Sequence, residues 1–93
     1  MPSIQAAQLN EQGQDMVIVV MDPAFARASP TQQEATIAQL QALSRASNLQ
    51  GTVALVWDAG GRMDYLAPAP WHEFFRGLTL EDVRARLNAE ISW

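Results

Sequence analysis

The sequence predicts a small single-domain α+β protein spanning residues 1–93, with elements in the order ββαββαα and a mixed four-stranded sheet packed by helices. Three observations predict it. Two pairs of apolar runs, 3 to 9 with 15 to 21 and 52 to 57 with 62 to 67, are each separated by a loop that contains glycine. After each pair, apolar residues recur at helical spacing behind a serine or threonine cap. A chain of 93 residues that is 48% hydrophobic and 17% charged also has the make-up of one compact core rather than of a disordered segment.

The first run, "SIQAAQL" (3 to 9), reads as a weak edge strand, and Asn10 and Gly13 suit the hairpin loop that follows it. The second, "DMVIVVM" (15 to 21), is apolar on both sides of its pleat, as a central strand covered on both faces would be. Ser29, Pro30 and Gln32 form a capping-box start for a helix reaching Ser47 or Asn48. Its Ile37, Leu40 and Leu43 share one arc, and Ala35, Ala38, Ala42 and Ala46 lie on an adjoining side where small residues would let it approach a sheet closely.

The runs "TVALVW" and "RMDYLA" form the second hairpin around "DAGG". The pleat places Val53, Leu55, Trp57, Arg62, Asp64 and Leu66 on one face, with Ala54, Val56, Met63 and Tyr65 on the other. A four-residue loop would set Arg62 opposite Trp57. Pro68 and Pro70 remove two backbone donors, so the strand fades there and Pro70 opens a short helix that Gly77 ends. On that helix Trp71, Phe74 and Phe75 share a face, while His72 and Glu73 point elsewhere. Thr79 then caps a last helix with Asp82 at its third position, and Leu80, Val83, Leu87 and Ile91 make one narrow stripe along it.

Composition narrows the chemistry. There is no cysteine, hence no disulfide, thiolate nucleophile or cysteine-bound zinc, and no lysine, hence no Schiff base or P-loop lysine. A formal net charge of -4 has the wrong sign for a phosphate-backbone binder, so nucleic acid and anionic membrane are poor partners. The longest apolar run, Met16 to Met21, is far short of the roughly 20 residues that a spanning helix needs. The opening residues also lack the basic and apolar regions of a secretory signal, and the expectation is a soluble cytoplasmic protein without a cofactor.

Four groups of residues are candidates for function. His72 is the only histidine and its type suits proton transfer, but no nucleophile context accompanies it; with Trp71 and Phe75 it reads better as a partner contact. Trp57, Arg62 and Asp64 can form a patch that grips an acidic or planar group. Asp22 and Asp58 each follow a strand, so parallel pairing would bring two carboxylates to one sheet edge as weak candidates for a Mg²⁺ site; both also stand where aspartate commonly bonds turn backbone. Trp93, in the final "EISW", either folds back on the core or docks on another subunit, and with the narrow apolar stripe of the last helix beside it the expectation is a contact between two copies. The resulting expectation is a non-catalytic interaction or regulatory module, homodimeric, that binds a protein partner through aromatic side chains. The alternatives are a small-molecule binding domain and a metal-assisted hydrolase built on the paired aspartates.

Overall fold

A five-stranded mixed sheet with helices on both faces forms the computed structural model, which describes residues 3–11, 13–49 and 51–92. The strands are β1 (Ser3–Glu11), β2 (Gln14–Val20), β3 (Thr52–Asp58), β4 (Met63–Leu66) and β5 (Ala89–Ser92), in spatial order β4-β3-β2-β1-β5. Among neighbouring strands, β2 and β3 pair in parallel and the other three pairs are antiparallel. The helices are α1 (Pro30–Ala46), α2 (His72–Arg76) and α3 (Leu80–Ala85), with short 3-10 helices at Pro23–Arg27 and Ala69–Trp71.

Alternation along β2 and β3 creates two cores. Val17, Val19, Val53, Leu55 and Trp57 face Phe25 and Leu40 of α1. On the other side Met16, Ile18, Ala54 and Val56 meet Trp71, Phe75 and Val83, which come from the second half of the chain. Both strands are therefore apolar at every interior position, and fully burying each Val, Ile or Leu contributes about 1.5–3 kcal/mol.

The capping signals act as the sequence implies. Ser29 Oγ accepts from the Gln32 amide at 3.1 Å while Gln32 Oε1 accepts from the Ser29 amide at 3.2 Å. Helix α1 ends at Ala46, and Asn48 takes the left-handed conformation, φ 63, that lets the Leu49 amide bond back to the Ser44 carbonyl at 3.0 Å. Gln41 ties this helix to the sheet: its Nε2 donates to the Gly51 carbonyl at 3.0 Å and its Oε1 accepts from the Val53 amide at 2.8 Å. Gly51 itself has φ +115, and a Cβ there would stand 2.5 Å from the Asp15 carbonyl oxygen, so only glycine lets β3 enter beside β2.

Several expectations need correction. The sheet has five strands, not four, because the last helix stops at Ala85 and residues 89 to 92 become β5. The apolar stripe of that helix is accordingly split: Leu87 packs with the α2 and α3 core and Ile91 with the α1 core, on opposite faces of the sheet. Asn88 marks the change. Its side-chain amide mimics a strand backbone, with Oδ1 accepting from the Gln8 amide at 2.8 Å and Nδ2 donating to the Gln8 carbonyl at 3.1 Å. Because β5 covers β1, the first strand is interior rather than an edge, and Ala6 and Ala7 are both fully buried.

The alanines expected to bring α1 close to the sheet, 35, 38, 42 and 46, are exposed; Leu40 and Ser44 are buried instead. In the second hairpin Trp57 pairs with Asp64, not Arg62, since a tight Gly60-Gly61 turn with φ +83 and +96 replaces the looser loop. Two positive φ angles in succession match the twist of a two-residue hairpin. The first hairpin is also tighter than expected, with Glu11 paired to Gln14.

Candidate functional site

Most aromatic side chains singled out from the sequence are used for packing. Trp57 is 5% exposed and meets Phe25 edge-on at 5.2 Å, so the indole is covered by a phenyl ring rather than by Arg62, which is exposed in the turn. Trp71 and Phe75 are 8% and 1% exposed, and Phe74 is half-buried beside them. The aromatic surface expected for a partner is thus largely internal. Trp93 lies outside the described residues.

His72 is half-buried, with Nε2 3.0 Å from the Ala67 carbonyl oxygen and its ring edge-on to Tyr65 at 5.4 Å. In the tautomer that carries the proton on Nε2, this contact closes the backbone left open by Pro68 and Pro70. Asp22 Oδ1 accepts from the Ala24 amide at 2.8 Å and Asp58 Oδ1 from the Gly61 amide at 3.0 Å. Each carboxylate thus serves the turn in which it sits. No group of three or more His, Asp or Glu side chains among the described residues is placed to hold a metal ion.

Asp64 has a different use. Trp57 pairs with Asp64, and the Ala59 amide bonds the Arg62 carbonyl at 2.7 Å, so ladder bonds to β3 fall at even-numbered residues and the Tyr65 amide points away from the sheet. Asp64 Oδ1 accepts from that amide at 2.9 Å. The open edge of β4 is therefore short and partly capped by a charged side chain, a common guard against edge pairing.

The chemistry that the sequence did not single out lies on the α2 and α3 side. A groove of about 590 Å³ runs between the Gly60-Gly61 turn, β4 and the loop from α2 to α3. Its floor is apolar: Met63, Tyr65, Phe75, Leu78 and Leu80. Tyr65 and Phe75 are stacked there, with ring centroids 5.3 Å apart and planes 22° off parallel. Arg62, Arg76 and Arg84 line the same groove, opposed by the carboxylates of Asp58 and Glu81. Three of the chain's six basic residues thus meet at one place, although the chain carries a net charge of -4. Of the three, only Arg62 stood out in the sequence.

Thr79, also on the groove wall, caps α3: its hydroxyl accepts from the Asp82 amide at 3.1 Å and its amide donates to Asp82 Oδ2 at 3.1 Å. The bond that the Thr79 amide donates to the carboxylate is the main cause that holds the Asp82 carboxyl below its usual value, with the Thr79 side chain and then Arg86 adding smaller pulls in the same direction. A second groove, of about 680 Å³, lies on the far side of α2 between Met16, Trp71, Phe74 and the two prolines 68 and 70; Glu73 is the ionic side chain on its wall. No helix among the described residues is long and apolar enough to cross a membrane. Comparison with protein-family models, curated proteins and solved structures found no match to this chain.

Proposed function

We propose that the chain is a small non-catalytic binding module that recognises an anionic partner at the groove lined by Arg62, Arg76 and Arg84. The observation that carries this is the gathering of half the basic residues of an acidic chain around one concave, apolar-floored surface. Guanidinium groups present a planar fork of donors that matches carboxylate or phosphate, and all three are exposed and able to reorient onto a ligand. A volume of about 590 Å³ also falls in the range of small-ligand sites.

The test is a fragment screen by amide chemical shifts, with anionic, neutral and cationic compounds of similar size. Anionic fragments should move the amides around Arg62, Arg76 and Arg84, and the effect should shrink as salt is raised from about 0.05 to 0.5 M. Equal response to neutral or cationic fragments at this groove would refute the proposal. A second reading, a protein partner held through aromatics, is favoured by the other groove, where half-buried Phe74 and the two prolines offer apolar surface. It predicts that Phe74→Ser abolishes an association that Arg76→Gln leaves intact.

A further inference from the structure

We infer that the arginine-lined groove takes a small amphipathic carboxylate: one monoanionic head with an apolar or aromatic body. The inference rests on the anion-binding function proposed above and specifies its ligand. Three features of the groove carry it.

Charge comes first. Three guanidinium groups and two carboxylates line the groove, leaving it a single net positive charge, which a monoanion balances and a dianion or polyanion exceeds. Asp58 is held in place by the Gly61 amide at 3.0 Å, so its charge stays beside the site. A multiply charged ligand would meet that repulsion at once, in a protein whose overall charge is -4.

The floor comes second. An inorganic anion would use the arginines and leave the half-buried Met63, Tyr65, Leu78 and Leu80 uncovered. Half-buried Tyr65, backed by the buried Phe75 ring 5.3 Å behind it, gives an aromatic wall beside the cations, and half-buried Leu78 and Leu80 extend it. A ligand with a hydrocarbon body gains from covering that wall as well as from the ionic contact, because apolar and charged side chains line the same groove in similar number.

The third feature separates a small molecule from an acidic peptide. An extended peptide would bind most readily by adding a strand to the open edge of β4, which borders the groove through Met63 and Tyr65. That edge is only four residues long, and its outward Tyr65 amide is already bonded to Asp64 Oδ1 at 2.9 Å. The carboxylate of Asp64 would also repel an acidic strand. What remains available is the concave surface itself.

The experiment uses the full chain, 15N-labelled, titrated with 4-phenylbutyrate as probe. Its neutral counterpart 4-phenylbutanol, inorganic sulfate and hexaglutamate serve as comparisons. Phenylbutyrate should give saturable shifts at the amides of Tyr65, Phe75, Arg76 and Leu80, with a Kd at least about 10-fold below that of each comparison compound. Arg76→Gln and Arg84→Gln together should weaken it about 10-fold or more. Both side chains are exposed, so the variant should keep the wild-type circular dichroism spectrum and Tm. Sulfate or hexaglutamate binding the same amides as tightly as phenylbutyrate would overturn the inference while leaving anion recognition intact. Phenylbutanol binding as tightly would overturn both, as would the absence of any saturable shift up to about 10 mM phenylbutyrate.

Discussion

Replacing Phe75 by alanine, with Phe74→Ala as its neighbour, tests whether the aromatic helix belongs to the core. Phe75 is 1% exposed and packs among Met16, Ile18, Val56 and Val83, with Tyr65 stacked on one side at 5.3 Å and Phe74 edge-on at 5.5 Å. Deleting a buried phenyl ring costs about 3–5 kcal/mol in transfer free energy and residual cavity. Two ring pairs at roughly 0.5–1.5 kcal/mol each favour the upper half of that range. A domain of this length has a total stability of about 5–14 kcal/mol, so the variant should lose a third or more of it. Phe74 is half-buried, and its truncation should cost roughly 1–2 kcal/mol, in proportion to the apolar surface it covers. The assay is urea denaturation followed by tryptophan fluorescence, with the slope checked for constancy so that midpoint shifts report stability. At about 4–8 °C per kcal/mol, Phe75→Ala should also melt ~16–40 °C lower. A loss below about 1 kcal/mol, or a larger loss for Phe74→Ala than for Phe75→Ala, would refute the assignment of Phe75 to the core.

Two further predictions rest on single contacts. Gly51→Ala places a methyl 2.5 Å from the Asp15 carbonyl oxygen at φ +115, and because the obstacle is backbone the strand entry must shift; thermal melting should show a loss of at least about 2–3 kcal/mol, against a loss near zero for Gly60→Asn in the open turn. Asp82, whose folded-state carboxyl lies below its usual 3.8, should stabilise the protein fully above that value and lose the contribution as pH falls through the lower folded value. The Tm difference between wild type and Asp82→Asn should therefore be constant from about pH 7 to 5 and shrink on further acidification; a difference that widens instead would contradict the sign.

Much of the fold could be read because it depends on short-range chemistry. The two capping boxes, the paired hairpins and the two-sided burial of β2 and β3 each follow from residues within a few positions of one another. The failures share a cause as well. Leu87 and Ile91 are four apart, a spacing that satisfies a helical face, so periodicity could not reveal that α3 ends at Ala85 and that the two side chains go to opposite faces of the sheet. The deciding group was Asn88, whose side chain finds Gln8, 80 residues away, and that pairing has no local signature. The same strand then turned β1 from an edge into an interior strand.

The site was less legible for a related reason. Arg62 stands in a hairpin turn, Arg76 at the end of α2 and Arg84 in the last turn of α3, where a cation also complements the helix dipole, so each has a sufficient local explanation. Only the packing of α2 against the β4 side of the sheet, through the Tyr65 and Phe75 rings, brings all three around one groove. The unique histidine and the tryptophans drew attention because they are rare, and rarity in composition reports chemistry that is possible rather than surface that is available. In this protein the large rings are consumed in separating two cores around a thin sheet. In the function proposed above, recognition falls to side chains long enough to reach beyond the core, and the chain carries no lysine, so its long cationic side chains are all arginines. The physical consequence is that the proposed binding and the folding draw on different residues: Arg76→Gln should alter affinity with little effect on stability, whereas truncating Trp71, buried and outside the lining of the arginine groove, should do the reverse.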